Sequence, residues 1–232
     1  MRSIRSMRDG SPTGSVRIAA LSRRAAVVAL LALLCAPSAS AADPLRIVAF
    51  GDSLMAGYGL ARADAFPVKL EAALRAKGHD VRIANAGVSG DTASGGLARL
   101  DWSVPSGTDA VILELGANDA LRGVDPAVTR KSLDTIIRRL KERRIEILLA
   151  GMQAPPNLGA KYAGDFDRIF PELARTHDLP LYPFFLDGVA TEAKLNQRDG
   201  VHPTTEGIDR IVVRILPAVE QLIARVRANR KG

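Results

Sequence analysis

Ser53 stands directly after an apolar run, Arg46-Ile47-Val48-Ala49-Phe50, inside the segment Gly51-Asp52-Ser53-Leu54. In an α/β protein such a run is a buried strand, and it ends at the carboxyl edge of a parallel sheet, where ligands bind. A serine hydroxyl is a weak nucleophile until a general base takes its proton. Near the far end of the chain, Asp199-Gly200-Val201-His202-Pro203 supplies one. An acid three residues before a histidine can hold the imidazole while the imidazole accepts the hydroxyl proton, and Pro203 stiffens the loop that carries both. Acyl transfer by such a trio passes through a tetrahedral oxyanion, which needs hydrogen-bond donors already in place. Asn85-Ala86-Gly87 and Gly116-Ala117-Asn118-Asp119 each follow a further apolar run, so Gly87 and Asn118 are predicted to border the same crevice. Gly87 would offer its backbone N–H, Asn118 its side-chain amide, and Ser53 its own N–H. Taken singly, Ser53 reads as a helix cap and Gly87 and Asn118 as turn residues. Found together in one chain, they point to serine catalysis.

The remaining chemistry-bearing residues are less informative. His79 follows a helix-ending glycine and His177 closes an amphipathic stretch, so both read as surface residues. Three scattered histidines give no zinc-ligand spacing, and no metal is expected. Gly57 is followed by Tyr58, so the glycine-rich turn after Ser53 lacks the lysine and hydroxyl of a phosphate-cradling loop. No cofactor is expected. The surroundings of Ser53 also differ from a Gly-x-Ser-x-Gly elbow. Asp52 and Asp119 read as residues that bond their own turns.

The elements that must position these groups follow from hydrophobic rhythm. Strands are predicted over Arg46–Phe50, Val81–Asn85, Ala110–Leu115, Glu146–Met152 and Leu181–Tyr182. Helices are predicted over Phe66–Lys77, Thr92–Asp101, Pro126–Arg143, Asp165–His177 and Thr205–Val226. Asp125-Pro126 is a capping residue followed by proline at the first helical position, and Gly78 is a helix stop. Strands alternating with helices predict a parallel sheet covered on both faces, a three-layer α/β/α domain. The irregular stretches Gln153–Tyr162 and Phe184–Val201 fall on the strand-end side, where a site would sit.

The first 41 residues read as a secretory signal rather than as part of the fold. Six arginines precede the apolar run Ala25–Leu34, and Ser38-Ala39-Ser40-Ala41-Ala42 offers a small-residue exit, with cleavage after Ala41 or Ala42. The run is too short to span a bilayer, which takes about 20 residues. The domain is then 42–232, in the periplasm or outside the cell, with no stable membrane insertion once the signal is removed. The signal holds six of the 32 Lys and Arg and one of the 25 Asp and Glu, leaving 26 against 24. A balance so close to neutral gives no reason to expect a nucleic-acid partner. The single cysteine, Cys35, lies inside the signal, so the exported chain has no disulfide, cysteine nucleophile or thiolate metal site.

The four segments Gly51-Asp52-Ser53-Leu54, Asn85-Ala86-Gly87, Gly116-Ala117-Asn118-Asp119 and Asp199-Gly200-Val201-His202-Pro203 resemble the signature of the SGNH, or GDSL, hydrolases. The name-giving residues correspond to Ser53, Gly87, Asn118 and His202. Met55-Ala56-Gly57-Tyr58-Gly59, Ala120-Leu121-Arg122-Gly123 and Leu181-Tyr182-Pro183-Phe184-Phe185 look like the bacterial periplasmic thioesterase I/lysophospholipase L1/arylesterase branch. The resemblance implies a flavodoxin-like sheet of five parallel strands in the order 2-1-3-4-5. It implies a hydrolase without metal or cofactor, acting on small-molecule aryl esters, acyl thioesters or lysophospholipids. In it Ser53 attacks, His202 relays the proton and Asp199 orients His202. The Ser53 N–H, Gly87 N–H and Asn118 amide would hold the oxyanion. Two other readings stay open at this level: a carbohydrate acetylesterase, and a non-catalytic flavodoxin-like binding module.

Overall fold

The computed structural model describes residues 43–230; the predicted signal lies outside the described residues. Five parallel strands form one sheet in the order β2-β1-β3-β4-β5. They are β1 Leu45–Gly51, β2 Val81–Gly87, β3 Ala110–Glu114, β4 Glu146–Ala150 and β5 Leu181–Tyr182. Every residue of β3, the middle strand, is buried, as are all of β4 but Glu146, whereas β2 lies at an edge and is largely open. That difference follows from position, since only inner strands of a doubly covered sheet are buried on both faces.

Eight helices connect and cover the strands among the described residues. These are α1 Ser53–Ala56, α2 Phe66–Ala76, α3 Ala93–Ser103, α4 Ala117–Leu121, α5 Pro126–Glu142, α6 Ala160–Asp167, α7 Ile169–His177 and α8 Thr205–Asn229. The chain steps outward from β1 to β2, then reverses to β3 and continues to β4 and β5. Right-handed crossovers therefore place α2 on one face and α3, α5 and α7 on the other. The packing agrees: α2 lies against α8, while α5 lies against both α3 and α7. Phe50, Phe66, Phe166, Phe170 and Phe185 fill the two interlayer cores. This is the three-layer, flavodoxin-like architecture expected from the sequence.

Differences from the predicted elements are local. The predicted helix Asp165–His177 is two helices that meet at Arg168. The predicted strand ends Leu115 and Gly151-Met152 have left the sheet, because the chain turns there toward the site. The short helices α1 and α4 were not anticipated; at four and five residues they carry too little periodicity to be read. Asp125 does cap α5, its carboxylate accepting the Ala127 N–H at 2.9 Å.

Candidate active site

The site is built where β1 stops. Gly51 ends the strand, Asp52 caps the next turn and Ser53 opens α1. The Asp52 Oδ1 accepts the Leu54 N–H at 3.0 Å, which bends the chain from strand to helix within two residues. Only glycine fits at Gly51: a Cβ there would stand 2.5 Å from the Glu114 carbonyl, the Glu114 Oε2 and the Met55 Cγ. Ser53 is nearly buried, yet its hydroxyl reaches the crevice beside His202.

His202 comes from the loop between β5 and α8, 149 residues further on. Asp199 folds this loop by accepting the Val201 N–H at 3.0 Å and the His202 N–H at 3.1 Å on one oxygen. Its other oxygen lies 2.7 Å from His202 Nδ1, and His202 Nε2 lies 2.9 Å from Ser53 Oγ. With Nδ1–H donating to the carboxylate, Nε2 presents its lone pair to the serine hydroxyl. The imidazole hydrogen bond, followed by the two backbone N–H groups, lowers the Asp199 pKa from its ordinary 3.8 to about 2. Asp199 is therefore ionised at neutral pH.

Two further contacts fix the histidine loop against α1. The Gln197 amide donates to the carbonyls of Tyr58 (2.7 Å) and Pro203 (2.9 Å), strapping the turn after Ser53 to the chain beside His202. The Tyr58 ring lies over the imidazole with centroids 4.5 Å apart.

Asn118 is the second residue of α4, just beyond β3. Its Nδ2 donates to Asp52 Oδ2 at 3.0 Å, which leaves the other amide hydrogen for the crevice. Asp119 is fully buried and accepts the Ala93 N–H at 2.8 Å and the Thr129 hydroxyl at 2.9 Å. It ties α4 to α3 and α5 rather than bonding its own turn as expected. Gly87 differs from expectation. Its N–H donates to Asn85 Oδ1 at 2.9 Å and is not free for a ligand. Three residues on, Gly90 has φ +83° and an N–H without a protein partner among the described residues. Its carbonyl accepts from Arg122 Nη2 at 2.8 Å, which moors that loop to the end of α4.

Residues the sequence reading passed over complete the floor. Arg99 of α3 is buried; it donates to the carbonyls of Gly51 (2.7 Å) and Ala86 (2.9 Å) and pairs with Asp91 at 2.5 Å. Its guanidinium also sits 4.3 Å from the centroid of Phe50. Glu114, the last residue of β3, is fully buried behind Asp52. Burial raises the Asp52 pKa from 3.8 to about 6, against the pull of the Leu54 amide, the Asn118 amide and His202. A charged residue inside the apolar run Ala110–Leu115 was the available signal for Glu114; Arg99, on the same helix face as Ala93 and Gly96, was the signal for itself.

A cleft of about 330 Å³ opens over Ser53, Asn118 and His202. Its walls are mainly apolar, including Leu54, Leu121, Met152, Pro155, Phe184 and Leu186. The two irregular stretches singled out in the sequence supply much of that wall. Among the described residues, no three His, Asp, Glu or Cys side chains converge on a point where a metal could bind.

The parallel sheet, with serine, histidine and aspartate hydrogen-bonded in series at its carboxyl edge, has the layout of an acyl hydrolase. Residues 49–210 match the GDSL-like Lipase/Acylhydrolase family. Esterase TesA of Pseudomonas aeruginosa is 36% identical over 194 residues, covering 83% of this chain and 96% of that protein. Thioesterase 1/protease 1/lysophospholipase L1 of Escherichia coli strain K12 is 39% identical over 169 residues, 72% of this chain and 79% of its relative. Among solved structures, the SGNH-hydrolase family esterase AlinE4 is 50% identical, with a TM-score of 0.66 over 77% of this chain and 96% of that one. The chain belongs to the GDSL-like lipase/acylhydrolase family and is an ester-hydrolysing enzyme.

Proposed function

We propose that the protein is a serine esterase and thioesterase working through an acyl-enzyme on Ser53. The observation that carries this is the unbroken series from Ser53 Oγ through the His202 imidazole to Asp199 Oδ2, its two hydrogen bonds 2.9 and 2.7 Å long. Substrate enters with its carbonyl carbon over Ser53 and its acyl chain along the apolar cleft. Ser53 Oγ attacks as His202 takes the hydroxyl proton, and Asp199 stabilises the imidazolium that results. The oxyanion meets the Ser53 N–H and the Asn118 amide hydrogen that Asp52 does not use. The third donor in this reading is the Gly90 N–H rather than the Gly87 N–H, because the latter is already bonded to Asn85. His202 then returns its proton to the leaving alcohol or thiol, and water releases the acyl group by the same steps.

The apolar walls favour acyl esters and thioesters with a hydrocarbon chain over acetylated sugars, whose hydroxyls would find few partners there. The names of the relatives, esterase and thioesterase 1/lysophospholipase L1, support the same substrate range. The arginine-rich, then apolar, then small-residue N-terminal sequence supports export to the periplasm or beyond. A fluorophosphonate tests the nucleophile: it adds one group to the protein, on Ser53, and Ser53→Ala loses both labelling and several orders of magnitude in turnover. Labelling of another serine, or normal turnover in Ser53→Ala, removes Ser53 from its role.

A further inference from the structure

One buried ionisable group has no part in that reaction. Glu114 ends the middle strand, directly behind the turn that carries Ser53. Its Oε2 accepts the Asp52 N–H at 3.3 Å, and its Oε1 has no hydrogen-bond partner. No Lys or Arg pairs with it among the described residues. Arg99 is engaged by Asp91 and by the carbonyls of Gly51 and Ala86, and His202 is engaged by Asp199 and Ser53. A fully buried carboxylate with one N–H and no cation is strongly unfavourable, and such a group takes up a proton instead. Burial, and after it the charge of the neighbouring Asp52, raise the Glu114 pKa well above the ordinary carboxylate range. The two carboxyl groups also lie within hydrogen-bond reach, a contact that favours the proton on Glu114 and the charge on Asp52. Asp52 is better provided for. It receives the Leu54 N–H on one oxygen and the Asn118 amide on the other, the donors an ionised carboxylate needs. Of the two acids, Asp52 holds the charge and Glu114 the proton.

Asp52 is also a junction. One of its oxygens fixes the turn that presents the Ser53 N–H, and the other fixes the Asn118 amide. Whatever holds the Asp52 carboxyl therefore orients two groups aimed at the oxyanion. We propose that Glu114 is a positioning residue, a neutral buried acid that hydrogen-bonds the Asp52 carboxylate and so sets the Ser53 N–H and the Asn118 amide for the transition state. The inference rests on the assignment of Ser53 and Asn118 made above. The proton has a second consequence. An ionised Glu114 would put another negative charge behind the place where the oxyanion forms, and like charges there oppose its formation.

The test compares Glu114→Gln with Glu114→Ala in the full chain, using p-nitrophenyl acetate across a pH series. The glutamine amide donates to Asp52 as the protonated acid does, so E114Q keeps kcat within about threefold of the parent at neutral pH. It also removes whatever decline the parent shows at alkaline pH. E114A loses about a hundredfold in kcat, as a misplaced oxyanion hole does, with KM within about twofold. Infrared spectra of the parent at neutral pH show a protonated-carboxyl C=O stretch that is lost in E114Q and retained in Ser53→Ala. If E114A does not fold, Glu114→Asp replaces it: the shorter acid is withdrawn from Asp52, and kcat falls in the same sense. A folded E114Q as impaired as E114A overturns the proposal, as does the absence of that band at neutral pH. Failure of the Ser53 assignment is seen separately, as retained turnover in Ser53→Ala, and leaves the infrared band where it was.

Discussion

Replacing Arg99 by methionine tests whether the floor of the site is held by one guanidinium. The Arg99 side chain is only 7% exposed and its partner Asp91 15%. Methionine fills similar space but leaves the largely buried Asp91 carboxylate without its cation and takes one donor from the Ala86 carbonyl. Gly51 O keeps the Val88 N–H at 3.1 Å, so its loss is partial. Removing one partner of a buried ion pair costs about 3–5 kcal/mol. For a domain of this size, where about 2–4 °C accompanies each kcal/mol, the melting temperature should fall by about 6–20 °C. Arg99→Lys retains the charge but cannot bond Asp91 and two separate carbonyls at once, and should lie between the parent and Arg99→Met. The measurement is thermal unfolding by circular dichroism, with kcat on p-nitrophenyl acetate taken well below the transition. Turnover should drop in the same order, because Gly51 ends β1 and Ala86 is next to last in β2, the strands beside the Ser53 turn. An Arg99→Met protein that melts within about 2 °C of the parent would refute the reasoning, since no buried pair of this kind is so cheaply broken.

Asn118→Ala should lower kcat by about 100- to 1,000-fold, with a much smaller change in KM, because the amide meets a charge that exists mainly after attack. Steady-state kinetics decide it; an Asn118→Ala enzyme with normal kcat takes Asn118 out of the oxyanion site. Asp199 binds its proton more weakly when folded than when unfolded, so the stability its bonds contribute is whole above about pH 4 and is lost as pH falls from 3.8 toward 2. Melting temperatures followed through that window should decline less in Asp199→Asn than in the parent, and equal declines would show that the carboxylate is not held as described.

Most of the architecture was legible because two periodicities dominate this chain. The middle strands are mainly apolar runs, and the long helices carry wide apolar stripes, so element order and the three-layer arrangement follow from the residues themselves. The histidine loop was legible for another reason: Asp199, His202 and Pro203 lie within five residues, and the geometry is local. What was hidden depends on contacts between segments far apart in sequence. The Gly87 amide is occupied by a side chain two residues earlier, a choice of hydrogen bond that residue types alone do not dictate. Asp52, Glu114 and Asn118 form one cluster only because β1 and β3 are neighbours in the sheet, which sequence order conceals. The place of Arg99 depends likewise on α3 leaning it over Phe50, far away in sequence.

The separation of 149 positions between Ser53 and His202 also bears on the birth of the enzyme. A ribosome completes the turn that carries Ser53 long before it reaches the loop that carries His202. Until then the serine has no proton acceptor and is no more reactive than any other alcohol. The Gln197 strap between Tyr58 and Pro203 closes only when the loop that carries His202 docks. On the proposed mechanism, a nascent chain that has not yet reached His202 is therefore chemically silent.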